Sequence, residues 1–238
     1  MKILTALTAL TASMLVWIQP TIAADLSDNE NSPSYSVGLG VSNFGLGLSA
    51  AHKTDWHIKS GDQIQIRAIA STIEGDTGGY DTDIAGINYD KIDYDSHAFQ
   101  LGLDWYPSQS GWTEKIFFSG GALYLDLDST IYADKGKSYT VGSTQVNPSD
   151  LTSFQANITR EKVIPYVSLG WGNKIQGAPG FDFQAELGVA FIGKADVNVS
   201  SSGNKSISAA ELEAERKQII DDTEGPAPFA NFTVAYHF

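Results

Sequence analysis

From Tyr35 to Phe238 the chain alternates apolar and polar residues again and again, the period-two pattern of strands whose two faces meet different surroundings. The pattern is plainest over the last residues, where Phe232, Val234, Tyr236 and Phe238 share one face and Asn231, Thr233, Ala235 and His237 the other. Upstream, Phe183, Ala185, Leu187, Val189 and Phe191 alternate with Asp182, Gln184, Glu186, Gly188 and Ala190, and Pro165, Val167, Leu169 and Trp171 with Tyr166, Ser168, Gly170 and Gly172. Phe117, Gly121, Leu123, Leu125 and Leu127 lie opposite Phe118, Ala122, Tyr124, Asp126 and Asp128. Phe99, Leu101, Leu103 and Trp105 face away from Gln100, Gly102 and Asp104, and Ile64, Ile66, Ala68 and Ala70 away from Gln63, Gln65 and Arg67. Two Gly-rich runs, Tyr35, Val37, Leu39, Val41 and then Phe44, Leu46, Leu48, bring the expected strands to eight.

The connections alternate in length. Residues near 54–61, 107–112 and 173–180 read as short turns, those near 75–93, 129–160 and 198–226 as long polar loops, and the link at Ser42 and Asn43 as a tight turn on the long-loop side. This asymmetry predicts an all-β fold: an eight-stranded antiparallel transmembrane β-barrel of the outer-membrane type, with long extracellular loops and periplasmic termini. Closure leaves no unpaired backbone edge in lipid.

Energy decides the faces, because an Arg or Lys facing lipid at mid-bilayer costs about 2–4 kcal/mol. The lumen-facing candidates are therefore Arg67, Gln100, Asp104, Asp126, Asp182, Gln184 and Glu186. Trp105, Tyr106, Trp112, Trp171, Tyr236 and Phe238 fall near strand ends, where an interfacial aromatic belt is expected; core packing in a soluble sandwich is the alternative.

Lys2, the apolar or hydroxylated run Ile3–Ile18, and Pro20 before Ala23 and Ala24 have the order of a secretory signal peptide. A membrane-spanning helix is the alternative, but the run is short of about 20 clearly apolar residues. The expected organisation is a signal peptide over 1–24, a short periplasmic segment over 25–33 and the barrel over 34–238, located in the outer membrane. With no Cys there is no disulfide framework.

The formal charge of −13 becomes −14 once Lys2 is removed with the signal peptide, −13 − 1 = −14. Such acidity argues against nucleic acid as a partner, which calls for a basic patch. Expected partners are outer-membrane lipid and lipopolysaccharide, the barrel-assembly machinery through the C-terminal aromatic strand, and small solutes.

Ser208, Ala209, Ala210 and Glu211 form a capping-box pattern that predicts a helix to about Asp222, with Leu212, Ile219 and Ile220 as its few apolar positions. It falls in the last long loop, as a lid or surface feature outside the membrane; its narrow apolar face makes a solvated helix the expectation, with a partner-binding helix as the alternative. The acidic residues Glu74, Asp76, Asp81, Asp83, Asp90, Asp93 and Asp95 match no EF-hand spacing, so a solvated loop is expected there and no metal or other cofactor. Of the four His, only His97 is placed near the outer rim. A lone His there does not make a base for an exposed nucleophile, and no enzyme is expected.

The segments IPYVSLGWGNK and FDFQAELGVAFIGKADVNV, the acidic AAELEAERKQIIDD and, more weakly, FQLGLDWYP and SGGALYLDLD resemble the CarO-like outer-membrane proteins, small eight-stranded barrels. The resemblance implies passive uptake of basic amino acids such as ornithine, and entry of some β-lactam antibiotics. An eight-stranded interior is just wide enough for side chains to fill. Two readings therefore stand: a narrow path for small cationic or zwitterionic solutes, or a structural, surface-interaction barrel with a filled interior.

Overall fold

The computed structural model describes residues 33–84, 86–108 and 110–238. The expected signal peptide and nearly all of the 25–33 segment lie outside the described residues. Antiparallel strands dominate: β1 (Tyr35–Ser42), β2 (Gly45–Lys53), β3 (Gln63–Ile84), β4 (Ile87–Tyr106), β5 (Ile116–Ala133), β6 (Tyr139–Val141), β7 (Thr144–Val146), β8 (Leu151–Gly172), β9 (Gly180–Ile192), β10 (Asp196–Gly203) and β11 (Gly225–His237). Among the described residues one α-helix, α1 (Ala209–Thr223), precedes β11, and a single 3-10 turn, Trp112–Lys115, precedes β5.

Eight strands close into a ring. β1 pairs with β2, and pairing continues through β3, β4, β5, β8, β9 and β11 back to β1. These are the eight runs read from the sequence. Closure is sealed by thirteen residues of β11 registered on β9, from Gly225 opposite Ile192 to His237 opposite Gly180.

Around the lower part of the ring the outer face is apolar. Leu39, Leu48, Leu101, Val167, Leu169, Phe181, Leu187 and Phe232 are all exposed. On β9 the outward residues run from Phe181 to Phe191, about 33 Å along the strand at about 3.3 Å per residue. At the strand tilt of about 40° usual for such rings this is about 25 Å of height. Soluble monomers rarely expose apolar patches beyond a few hundred Å², and this belt encircles the molecule.

Above the belt the polarity of the two faces exchanges while the alternation continues. On β8, Gln155, Asn157 and Thr159 now face outward, and Phe154, Ala156 and Ile158 inward. The segments expected as long polar loops are thus largely strand. Residues 75–93 form a hairpin turning between Ile84 and Ile87. Residues 129–160 hold the end of β5, the β6–β7 hairpin and the start of β8, while 198–226 hold the end of β10, all of α1 and the start of β11. A single apolar core explains why: Ile87, Tyr89, Ile92, Ile131, Val141, Phe154, Ala156 and Val197 pack together, with Ile219 of α1 fully buried among them.

The helix is therefore a packed element of this extension rather than a solvated one. Its capping box is formed: the Glu211 N–H donates to Ser208 Oγ (3.3 Å) and the Ser208 N–H to Glu211 Oε2 (3.0 Å). Ser208→Ala is expected to cost about 1 kcal/mol of helix stability, read as faster amide exchange over residues 209–213 with exchange in β9 and β11 unchanged.

Candidate functional site

The interior of the ring is built in tiers, and glycines make the room for them. A Cβ on Gly102 would stand 1.9 Å from the Tyr166 hydroxyl, one on Gly170 2.1 Å from the Phe117 ring, and one on Gly188 2.3 Å from the Phe229 ring. These three rings thus each lie over a glycine, on the adjoining strand for Phe117 and Phe229 and two strands away for Tyr166, where no other residue leaves space.

The central tier is a charge cluster. Arg67 on β3 donates from Nε and Nη2 to the two carboxylate oxygens of Asp104 on β4, at 2.7 and 3.0 Å, and from Nη1 to Glu186 Oε2 on β9 at 2.7 Å. The guanidinium carbon sits 5.4 Å from the Phe117 ring centre. Glu186 also accepts from Ser168 and, at 3.0 Å, from Asn231, which donates to Gln100 at 3.2 Å. Five strands are tied together here by bonds made in a water-poor interior, where each is stronger than at a surface.

Toward the short turns, Asp182 accepts from the backbone and side chain of Asn173 and lies 3.9 Å from His237 Nε2. Several polar atoms at this end and at the centre are buried without a hydrogen-bond partner: both amide atoms of Gln65, Nε2 of Gln100 and Nε2 of His237. Toward the extension an apolar tier follows. Phe229 packs on Phe44 (5.9 Å) and edge-on to Tyr166 (5.7 Å), with Leu123, Leu125 and Ile164 buried beside them.

Six of the seven lumen-facing candidates, Arg67, Gln100, Asp104, Asp182, Gln184 and Glu186, are buried inside the ring. Asp126 is not: it is exposed on the outer face of β5, between His97 and Glu161 on the adjoining strands. Both faces of β5 are apolar near Leu123, Tyr124 and Leu125, so apolarity alone gave it the wrong direction. Asp126 lies at the top of the belt, where a carboxylate can remain hydrated. Phe44, expected with Leu46 and Leu48 on the outer face, instead turns inward from the β1–β2 turn.

Of the belt aromatics, Trp112, Trp171 and Phe238 are exposed and Trp105 and Tyr236 half-buried. Tyr106 is corrected: it is fully buried inside, 5.2 Å from the Phe117 ring. It shares the inward parity of Asp104 and Gln100, and adjacency to Trp105 placed it outside. Trp105 is anchored through Nε1–H to Asp62 Oδ2 (2.8 Å), which also accepts from the Ile58 and Lys59 N–H groups. Burial alone would raise the Asp62 pKa, but these donors hold it at about 2.

Sequence reading missed Ser119, Tyr166, Ser168 and Asn231 as members of the site. Tyr166, Ser168 and Asn231 alternate on the face read as inward, so parity was available for them, whereas Ser119, 3.3 Å from the Tyr166 hydroxyl, lies on β5, whose faces were reversed; only the cross-strand register shows which of them meet Arg67 and Glu186. The acidic residues Glu74, Asp76, Asp93 and Asp95 flank a shallow outer-face hollow with Asp128; the side chains of Asp81 and Asp83 lie outside the described residues. No group of His, Cys, Asp and Glu with metal-holding geometry occurs among the described residues.

No protein-family model and no curated protein sequence matches the chain. Among solved structures it is similar to CarO of Acinetobacter baumannii, with a TM-score of 0.57 and 20% identity, and to CarO2 of the same organism, with a TM-score of 0.61 and 18% identity. Each similarity covers 88% of this chain and 100% of the other. The likeness read from the sequence segments is thus present in three dimensions, and the chain has the fold of the CarO proteins.

Proposed function

We propose that the chain is an outer-membrane β-barrel that admits small cationic or zwitterionic solutes along a narrow, side-chain-lined interior. The carrying observation is its inside-out polarity: a belt about 25 Å tall of outward apolar side chains surrounding the Arg67, Asp104 and Glu186 cluster. In this reading the short turns face the periplasm, and the extended strands with α1 stand outside the cell. Lipid and lipopolysaccharide surround the belt, and the assembly machinery engages the strand ending at Phe238.

Passage is supported by the acid excess within the belt, where Asp104, Asp182 and Glu186 stand with the guanidinium of Arg67; the other buried Lys and Arg side chains among the described residues lie toward the two ends, Lys174 in the short turn after β8 and Arg160 in the extension. The unpartnered atoms of Gln65, Gln100 and His237 are further support, since buried polar groups are ordinarily satisfied by protein or water. Basic amino acids are the solutes implied by the CarO resemblance. Arg67 lies across the path, so passage requires its side chain to swing.

The apolar tier of Phe44, Phe229 and Tyr166 favours the second reading, a filled structural barrel. Swelling of proteoliposomes decides between them. The transport reading expects faster swelling in L-lysine than in a neutral solute of equal size, and a smaller difference in Asp182→Asn, which leaves the Arg67 pairs intact. Swelling no faster than that of empty liposomes would overturn it and leave the structural reading.

A further inference from the structure

We propose that the cleft between α1 and the β6–β7 hairpin binds a small organic cation, with the Glu215 carboxylate as its counter-ion. The cleft has a volume of 410 Å³ and is lined by Gly86, Tyr139, Gly142, Ala214, Glu215 and Gln218 among others. It lies wholly in the extension above the apolar belt, so it is independent of whether solutes cross the interior.

Glu215 is the anomaly that points to a ligand. It is 2% exposed, and its Oε1 has no hydrogen-bond partner. The other buried carboxylates are all satisfied: Asp62 by Trp105, Asp104 and Glu186 by Arg67, and Asp182 by Asn173. The fully buried Tyr89 hydroxyl, close enough to Glu215 for the two to act on each other electrostatically, has no partner either. A desolvated carboxylate oxygen left unpaired is costly, and a cation with N–H donors seated in the cleft that Glu215 lines would satisfy it.

The lining selects the class. Glu215 is the only carboxylate among the lining residues, whereas calcium takes six to eight oxygen ligands. Tyr139 supplies an aromatic wall of the kind that attracts organic cations. The volume falls in the range of small-molecule sites. Burial first, and then the charge of Asp222 one to two turns further along the helix, push the Glu215 carboxyl up to about 7. Tyr89 and Tyr139 are the other titratable groups facing it, and burial raises both of their pKa values. A bound cation would favour the ionised carboxylate, so binding should strengthen as pH rises through this range.

The test is calorimetric titration of the full chain in detergent micelles at pH 8 with n-butylammonium chloride. Saturable binding is expected, weakened about tenfold or more in Glu215→Gln, as fits loss of a hydrogen bond to a charged group, and weakened at pH 5.5. The variant removes an uncompensated charge, so it should keep the native gel mobility. Absence of saturable binding, equal binding by Glu215→Gln, equal binding of neutral n-butanol, or calcium binding that excludes the ammonium would each overturn the proposal.

Discussion

Replacing Arg67 by methionine is expected to lower the stability of the folded ring by about 3–5 kcal/mol, the range for breaking a buried ion pair by removing one partner. Asp104 and Glu186 are both buried and would be left facing each other with no cation between them. Asn231 and Ser168 would still donate to Glu186, but two hydrogen bonds from neutral groups do not replace a guanidinium shared by two carboxylates. Adding Asp104→Asn and Glu186→Gln to Arg67→Met should recover most of the loss, because the uncompensated charges disappear. Urea titration in detergent micelles, followed by the gel-mobility shift between folded and unfolded forms, measures both variants. A loss under about 1 kcal/mol for Arg67→Met, the range of exposed ion pairs, would mean that water reaches the carboxylates and that the centre is not dry.

The eight strands and their order were legible because alternation is a local property. On β9 the outward Phe183, Ala185, Leu187 and the inward Gln184, Glu186 need no partner strand to be sorted. What local pattern did not give was the length of the strands. On β4 the inward Tyr94 and Ile92 keep the parity of Gln100 and Asp104, yet their polarity is reversed because the outer face there carries His97, Asp95 and Asp93. A reading that expects apolar residues always on the outside ends the strand at that exchange and takes the remainder for loop. The physical cause is a change of surroundings along one strand, from an outer face suited to lipid to an outer face suited to water. The charge cluster was half legible for a related reason. Arg67, Asp104 and Glu186 stand out as ionisable residues inside apolar runs, whereas Asn231 and Ser168 join them only through pairings such as Asn231 with Glu186, forty-five positions apart.

Leu187→Arg should cost about 2–4 kcal/mol of folding stability in lipid bilayers, the penalty for a basic residue on the lipid face near mid-bilayer. Leu187 is 70% exposed on the outer face of β9, beside Leu169 on β8 and Ala230 on β11, with apolar outward residues above and below it. The matched control is Thr159→Arg on β8, also outward but in the extension, where it adjoins Asp128 on β5 and Asp196 on β10. That substitution should change stability by no more than about 0.5 kcal/mol, as an ordinary surface replacement does, with the neighbouring carboxylates tending to favour it. Folding titrations of both variants into vesicles supply the comparison. The contrast is informative because in a water-soluble protein Leu187→Arg would be as harmless as Thr159→Arg, the leucine being exposed already. Equal, small effects at the two positions would remove the membrane from the account of this fold, while a loss confined to Leu187 would place the belt in hydrocarbon and the strand extensions in water.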